Sequence, residues 1–501
     1  MPPSPSIRPH GSEPPIRDRG DACPGALRLH SAADGHLARV RLPAGDLTAR
    51  QAEALADAAD RLGDGHLSLT SRGNAELRGL PDDCGSRLAA LLRDAGLLPS
   101  ERRERIRNIL ASPLAGLDRN TPSDVRLWAR ELDGLLCTSE SATALSGRFL
   151  FVLDDGRGDV AALGGDVSLV AEPTGTAAPA DHEDRPGTGA PAHPGGSALL
   201  RIGDDPAALR IAGADAPRAA LTAAEAFLSA AEASGTGAWR VRELPSGHGL
   251  TARVVAERLH AAGIRAVYVA ETAAGTRTTA ADSSAPGIIE GRDDARALSV
   301  LAPLGRLSVT QWRLLAAVAA ADGDGTLRLT PWRGIVIPGL SADAAAARLR
   351  ELATAGLVTD PDSPWHRIGA CTGRPGCAKS RTDVRADATA AVTAGSSVPV
   401  PVSGPDTCPD AVPLPGGPEP APGPGPGPAP GPGPGPGPES DHPASRHHLP
   451  VYWSGCERRC GHPHGAWVDV LATPDGYRVS VVRPKTPPAP AAPPAAPCPT
   501  S

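Results

Sequence analysis

Between Cys23 and Leu98 the apolar positions change period more than once, and each change marks an element. The pattern predicts a strand near Leu37–Leu42, a helix from Thr48 to Leu62, a strand over His66–Thr70 and a second helix ending near Gly96. Thr48 suits an N-cap and Gly63 a C′ stop. The segment then returns at a constant offset of 260 residues. Leu47, Gln51, Leu55, Ala59, Gly63, Leu67, Leu69, Thr70 and Gly79 recur as Leu307, Gln311, Leu315, Ala319, Gly323, Leu327, Leu329, Thr330 and Gly339. Ungapped identity on this scale implies an internal duplication and a pseudo-twofold molecule with its active site near the axis. Continued past the repeat, the offset aligns 107–112 with 367–372 and sets Ala111 opposite Cys371.

After each repeat a second α/β unit follows. Its apolar run is Phe149–Leu153 in the first half, bounded by Gly147 and Asp154, and Leu449–Trp453 in the second. Ala-, Pro-, Gly- and Thr-rich stretches at 171–197 and 272–294, and a Pro-Gly alternation within 395–446, predict inserts and a linker. The predicted boundaries are therefore a disordered 1–22, a half-domain at 23–99, an α/β domain at 100–271, the linker 272–294, a second half-domain at 295–360, a metal-binding domain at 361–483 and a disordered tail at 484–501.

Composition narrows the function. Fifty-seven glycines and 56 prolines in 501 residues, with 3% aromatics, leave cores of Leu, Val, Ile and Ala. Lysine occurs only at Lys379 and Lys485, so arginine carries the cationic chemistry. A net charge of −6 with no basic stripe argues against general nucleic-acid binding. The first twenty residues do not read as a secretory signal, and no apolar run approaches a membrane span. Nine cysteines in that setting fit a reducing cytoplasm better than a disulfide framework.

Four of the nine stand in two local pairs, Cys371 with Cys377 and Cys456 with Cys460. Four thiolates are what one [4Fe-4S] cluster takes up. On one helical turn Cys456 and Cys460 would lie on one face. A structural zinc site and free thiols remain the alternatives, although zinc pairs are usually closer in sequence than the first pair here. Cys23, Cys84, Cys137, Cys408 and Cys498 read as bystanders.

Residues 69–79 (LTSRGNAELRG), 107–113 (RNILASP), the two cysteine pairs and the duplication together resemble the sirohaem-dependent sulfite and nitrite reductase superfamily. Within it, the forms of 107–118, 147–159 and 330–334 are most similar to the precorrin-3B synthases of aerobic cobalamin biosynthesis. The resemblance implies an α+β fold: two ferredoxin-like half-domains forming one domain, and two α/β domains meeting at a cofactor cleft. It also implies a [4Fe-4S] cluster on Cys371, Cys377, Cys456 and Cys460 and a non-haem iron. The substrates would be precorrin-3A and dioxygen, with an external electron donor, NAD(P)H-linked by expectation. The implied reaction hydroxylates the macrocycle at C20 and closes a γ-lactone.

The reductases carry a Lys-Phe-Lys element that binds sirohaem, and here the corresponding residues are Arg148, Phe149 and Leu150. Loss of the second cation disfavours oxyanion reduction, while Arg148 still suits a tetrapyrrole, now as substrate. Guanidinium grips carboxylate in a bidentate fork. Arg72, Arg107, Arg148 and Arg333 are accordingly the candidate substrate-binding residues, Arg148 also the candidate catalytic one, with Arg78 and Arg374 behind them. His366, His462 and His464 are candidate iron ligands, and Cys460 a candidate bridge to a second metal. Two other readings stay open: a sirohaem reductase, and a non-catalytic iron-sulfur protein that binds a tetrapyrrole.

Overall fold

The computed structural model describes residue 21 and residues 23–118, 123–172, 196–270, 285–291, 294–399 and 449–483. The Pro-Gly alternation, Cys408, Cys498 and Lys485 lie outside these residues.

The first repeat runs β1 (His30–Ala32), β2 (Gly35–Val40), β3 (Asp46–Thr48), α1 (Ala49–Leu62), β4 (His66–Leu69), β5 (Ala75–Leu80) and α2 (Gly85–Asp94). The expected helix and strands are all present. Thr48 caps α1 in a full capping box, its hydroxyl accepting from Gln51 N while the Gln51 side chain accepts from Thr48 N, and Gly63 ends the helix. A second α/β unit follows: β6 (Ile109–Ala111), α3 (Arg126–Thr138), β7 (Phe151–Asp154), β8 (Val167–Ala171), β9 (Ser197–Ile202), β10 (Ala208–Ala212), α4 (Ala216–Ser234), α5 (Ala252–Ala261) and β11 (Ala266–Val269). Its six strands form one sheet in the order β11-β10-β9-β8-β7-β6, with β6, β7 and β8 parallel.

The second repeat is β12 (Gly287–Glu290), β13 (Arg296–Leu301), β14 (Arg306–Ser308), α6 (Val309–Ala321), β15 (Thr326–Leu329), β16 (Gly334–Leu340) and α7 (Ala342–Thr354). β12 lies inside the stretch 272–294 that composition marks as linker. It pairs antiparallel with β13, and its apolar content is only the adjacent Ile288 and Ile289, too short a run to stand out from the surrounding sequence. The last unit holds β17 (Ile368–Ala370), α8 (Val384–Thr393), β18 (Val451–Ser454), β19 (Trp467–Thr473) and β20 (Gly476–Val482), in one four-stranded sheet in that order.

The two repeats exchange strands. One sheet is β1-β2-β5-β4-β14 and the other β12-β13-β16-β15-β3, so each borrows its fifth strand from the opposite half. The exchange is reciprocal in detail: Ala49 N donates to Gly325 O at 2.9 Å and Val309 N to Gly65 O at 3.0 Å. α1 and α6 pack across the pseudo-axis, where the buried Trp312 donates through Nε1 to Ala52 O at 2.7 Å, a residue 260 positions earlier. Leu, Val and Ala from both repeats share one continuous apolar core. The turn before each borrowed strand holds a non-glycine residue at positive φ, Ala44 at 58° and Leu304 at 53°, followed by a glycine. Gly45 has no alternative, since its φ is +72° and a Cβ there would stand 2.1 Å from Leu329 O.

Two buried arginines bind each half-domain to the α/β unit of the other half. Arg328 on β15 donates through Nη1 to Pro113 O and Ala115 O, both at 2.8 Å. Arg78 on β5 donates to Gly376 O at 2.7 Å, within the first cysteine loop, while Asp34 and Glu76 hold its charge. The cysteine loop is thus pinned from the half-domain most distant in sequence. No helix among the described residues is long and apolar enough to cross a membrane.

Candidate metal centre and neighbouring arginines

Parallel strands β17 and β18 end side by side, and the cysteine pairs follow directly from those ends. Cys371 N donates to Trp453 O at 3.0 Å, which continues the ladder by one residue and fixes Cys371 against the end of β18. Gly455 N then donates to Cys371 Sγ at 3.3 Å, a direct contact between the two cysteine loops. Such backbone N–H donors stabilise charge on a ligating sulfur. This approach needs glycine at 455, because a Cβ would meet Ser380 Oγ at 1.8 Å. The first loop closes on itself through Cys377 N to Gly373 O at 2.8 Å, and Arg381 N to Gly455 O at 2.9 Å seals the two loops together.

The four thiols feel one another. Burial pushes the Cys460 thiol up, and Cys456, Cys371 and Cys377 all add to the rise. The Cys371 thiol is likewise raised, first by burial and further by Cys456 and Cys377. All four are free thiols, yet no three of them bring their sulfurs within 4.8 Å of one another. A single zinc with ~2.3 Å Zn–S bonds would hold its sulfurs at about 3.8 Å. As a set the sulfurs stand farther apart than on one tetrahedral ion, and the loops that carry them are joined directly through Gly455 N and Cys371 Sγ. Cys456 and Cys460 are not on a helical turn. Two successive turns, closed by Arg459 N to Cys456 O and His462 N to Arg459 O, carry them, with Arg459 at φ 45°. Glycines on either side and the ion pair of Arg459 with the buried Asp469 at 2.6 Å favour turns over helix here.

The surroundings are cationic. Arg385 Nε donates to Cys371 O at 3.3 Å, and burial, then Arg306 and Arg333, push its pKa down to about 10. Arg333 donates to Gly461 O at 2.8 Å and lies over the Tyr452 ring at 5.5 Å. Tyr452 in turn donates to Cys460 O at 2.6 Å. A cluster held by four thiolates is anionic, and this ring of guanidinium groups complements it. No sequence motif marks Arg385 or Tyr452. Only the fold brings them to the cysteines.

The arginines expected to grip substrate divide into three fates. Arg72 and Arg148 meet: Arg72 Nη1 donates to Arg148 O at 3.3 Å, and the exposed Arg148 guanidinium lies 4.9 Å from the centre of the Trp239 ring. Arg72 has no carboxylate among its described partners, and burial followed by the charges of Arg240 and Arg41 pushes its pKa down to about 9. Arg333 faces the cysteine loop instead. Arg107 is already occupied, its fork closed on Asp133 at 2.6 and 2.7 Å, with a further bond to Leu97 O. The sequence displays its guanidinium but not the α3 aspartate that the fold turns towards it. Arg78 is consumed in the loop contact described above, and Arg374 donates to Ser380 O at 2.8 Å.

His464 joins the two regions. Burial holds its imidazole below the ordinary range, and the nearby His462, Arg242, Arg72 and Arg240 lower it further. Arg240 thus acts on both His464 and Arg72. The three candidate iron ligands do not gather with a carboxylate among the described residues: His366 Nδ1 bonds to Pro361 O at 2.7 Å, and His462 stacks on Trp467 at 5.1 Å. Among the described residues, His366, His462 and His464 do not assemble a two-histidine, one-carboxylate site.

Leu150 is buried in an apolar cluster with Leu110, Val152 and Val160, packed against Trp332. The position of the second reductase cation is thus part of a core. The hydrogen bonds also correct the alignment of the halves. Ser112 N donates to Leu153 O at 3.0 Å as Cys371 N does to Trp453 O, and Asp155 N donates to Ser112 Oγ at 3.1 Å as Gly455 N does to Cys371 Sγ. Ser112, not Ala111, is the counterpart of Cys371. Between the repeat and the following strand the second half is one residue shorter than the first, so the offset falls from 260 to 259.

Residues 30–94 and 289–355 match the family described as the nitrite/sulfite reductase ferredoxin-like half domain. The chain is 24% identical over 464 residues to a precorrin-3B synthase of Sinorhizobium sp, covering 92% of this chain and 83% of that protein. It is 33% identical over 100 residues to a ferredoxin–nitrite reductase of Leptolyngbya laminosa, a match covering 20% of each chain. The solved structure of the Mycobacterium tuberculosis NirA protein superposes with a TM-score of 0.61 at 15% identity, over 89% of this chain and 74% of that one. The chain thus carries a nitrite/sulfite reductase ferredoxin-like half domain in each repeat, within a nitrite/sulfite reductase-like fold.

Proposed function

We propose that this chain is an oxidoreductase of cobalamin biosynthesis that acts as a precorrin-3B synthase, hydroxylating precorrin-3A at C20 with dioxygen and closing the γ-lactone from an acetate side chain. The observation that carries the reading is the direct contact of the two cysteine loops together with the Arg72–Arg148 pair, with the buried Leu150 at the position of the second reductase cation. Similarity to a precorrin-3B synthase along most of the chain supports it.

In this reading Cys371, Cys377, Cys456 and Cys460 hold a [4Fe-4S] cluster, which when bound supplies electrons from an external donor. Arg72 and Arg148 bind carboxylates of the macrocycle. Arg72 is preorganised for this role, being charged, largely desolvated and short of an anionic partner, so an incoming carboxylate restores a charge pair rather than competing with one. The Arg148–Trp239 contact offers a flat apolar and cationic surface to a macrocycle edge. Arg333 and Tyr452 position the Cys460 loop rather than touching substrate. No step is assigned to a mononuclear iron, since the candidate histidines do not form a site for one.

The test is turnover of precorrin-3A under oxygen with a reductant. The reading expects conversion by the wild type and none by Cys371→Ser or Cys460→Ser, with loss of cluster absorbance in both. Full turnover by a cluster-free variant, or an extractable sirohaem with nitrite or sulfite reduction by the wild type, would overturn it.

A further inference from the structure

The first α/β unit carries a second polar centre at the place where the second unit carries its cysteines. Its Ser112 stands where Cys371 stands, in the same hydrogen-bond frame. Around it the Asp154, Asp155 and Asp159 carboxylates gather, each 0% exposed, with an oxygen of each lying within 4.8 Å of the others. Two oxygens on one calcium ion stand no farther apart than about twice the ~2.4 Å bond, so this span matches a single hard cation.

The groups are held rigidly. Asp154 accepts from the backbone N–H of Gly156, Gly158, Val160 and Ala161, which wraps the loop around its carboxylate. Arg157 bonds to Asp155 and Asp118. Ser112 Oγ donates to Asp159 Oδ1 at 2.6 Å. The independent observation is the other oxygen of that carboxylate: Asp159 Oδ2 is buried and has no hydrogen-bond partner among the described residues. A buried carboxylate oxygen without a donor is costly, and such a group in a native fold calls for a ligand.

We propose that Asp154, Asp155 and Asp159 bind a hard divalent cation of the magnesium, manganese or calcium class, at the pseudo-symmetric counterpart of the cysteine centre. All-oxygen donors select that class over softer metals. The site lies at the C-terminal ends of parallel β6 and β7, while Arg148 lies before the N-terminal end of β7. The cation therefore braces the first unit's strand ends and is separate from substrate contact. The duplicated fold uses one location twice, with sulfur donors in one half and oxygen donors in the other.

Manganese titration of the chelator-treated holoprotein, followed by electron paramagnetic resonance of free and bound Mn2+, tests this. The proposal expects one bound Mn2+ per chain, displaced by Mg2+ or Ca2+ in competition. Asp159→Asn should weaken it by about tenfold or more, and Cys460→Ser should retain it. Absence of Mn2+ binding by the wild type overturns the proposal even if the variant fails to fold. So does equal binding by Asp159→Asn, or an infrared band of a protonated buried carboxyl that persists with excess metal and vanishes in that variant, which would mean that the pocket holds a proton.

Discussion

Gly455→Ala tests the contact between the cysteine loops with a single methyl group. The added Cβ would stand 1.8 Å from Ser380 Oγ, 2.8 Å from Ser380 Cβ and 3.4 Å from Ser380 Cα. Rotating the hydroxyl away relieves only the first contact and breaks its bond to Thr382 O at 2.8 Å, at about 1 kcal/mol for the lost bond. The second contact remains, and Ser380 is only 2% exposed, so backbone must shift at about 1–3 kcal/mol. Together these amount to about 2–4 kcal/mol. The shift also draws Gly455 N away from Cys371 Sγ, loosening a ligand at the same time. The assay is thermal unfolding alongside cluster absorbance after anaerobic reconstitution. Gly455→Ala should unfold earlier and lose its chromophore faster in air. Ser380→Gly in the same chain removes both clashing atoms and should recover most of the stability, short of the one hydrogen bond. Wild-type stability and cluster retention in the single variant would refute the packing argument, and failure of the second substitution to rescue would refute Ser380 as its source.

Three further outcomes follow from the same geometry. Arg72→Gln should weaken binding of a polycarboxylate tetrapyrrole about tenfold or more, by the ~1.5–3 kcal/mol of a charge-assisted bond. Fluorescence titration of the tetrapyrrole against wild type and variant checks this, and equal affinity would remove Arg72 from the substrate contacts. Arg78→Gln removes the bond to Gly376 O and leaves Asp34 without its partner, and iron retention during gel filtration should drop. Trp312→Phe, which strips the Nε1 donor from Ala52 O at the pseudo-axis, should cost about 1–2 kcal/mol in urea unfolding with an unchanged m-value.

Much of the frame was legible because its signals are local or repeated. The Thr48 capping box, the two-period alternation of the strands and the offset between repeats each need only neighbouring residues or a self-comparison. What the sequence hid depends on chain segments meeting at distance. Asp133 takes Arg107, Gly376 takes Arg78, and Arg385 arrives beside Cys371 from a helix that carries no motif. The misplaced equivalence of Ala111 and Cys371 has a simple cause: side chains alternate along a strand, so one lost residue transfers the counterpart to Ser112. The two cysteine loops do meet, at Gly455 N and Cys371 Sγ, but helical geometry was the wrong inference for Cys456 and Cys460, where flanking glycines and the Arg459–Asp469 pair build turns.

The proposed iron-sulfur cubane on Cys371, Cys377, Cys456 and Cys460 is tested by quantifying iron and acid-labile sulfide on anaerobically purified protein and on Cys371→Ser. Wild-type protein should carry sulfide at the level of one cubane per chain, with at least matching iron, and the variant should lose both. Zinc in their place, or iron without sulfide, would contradict it.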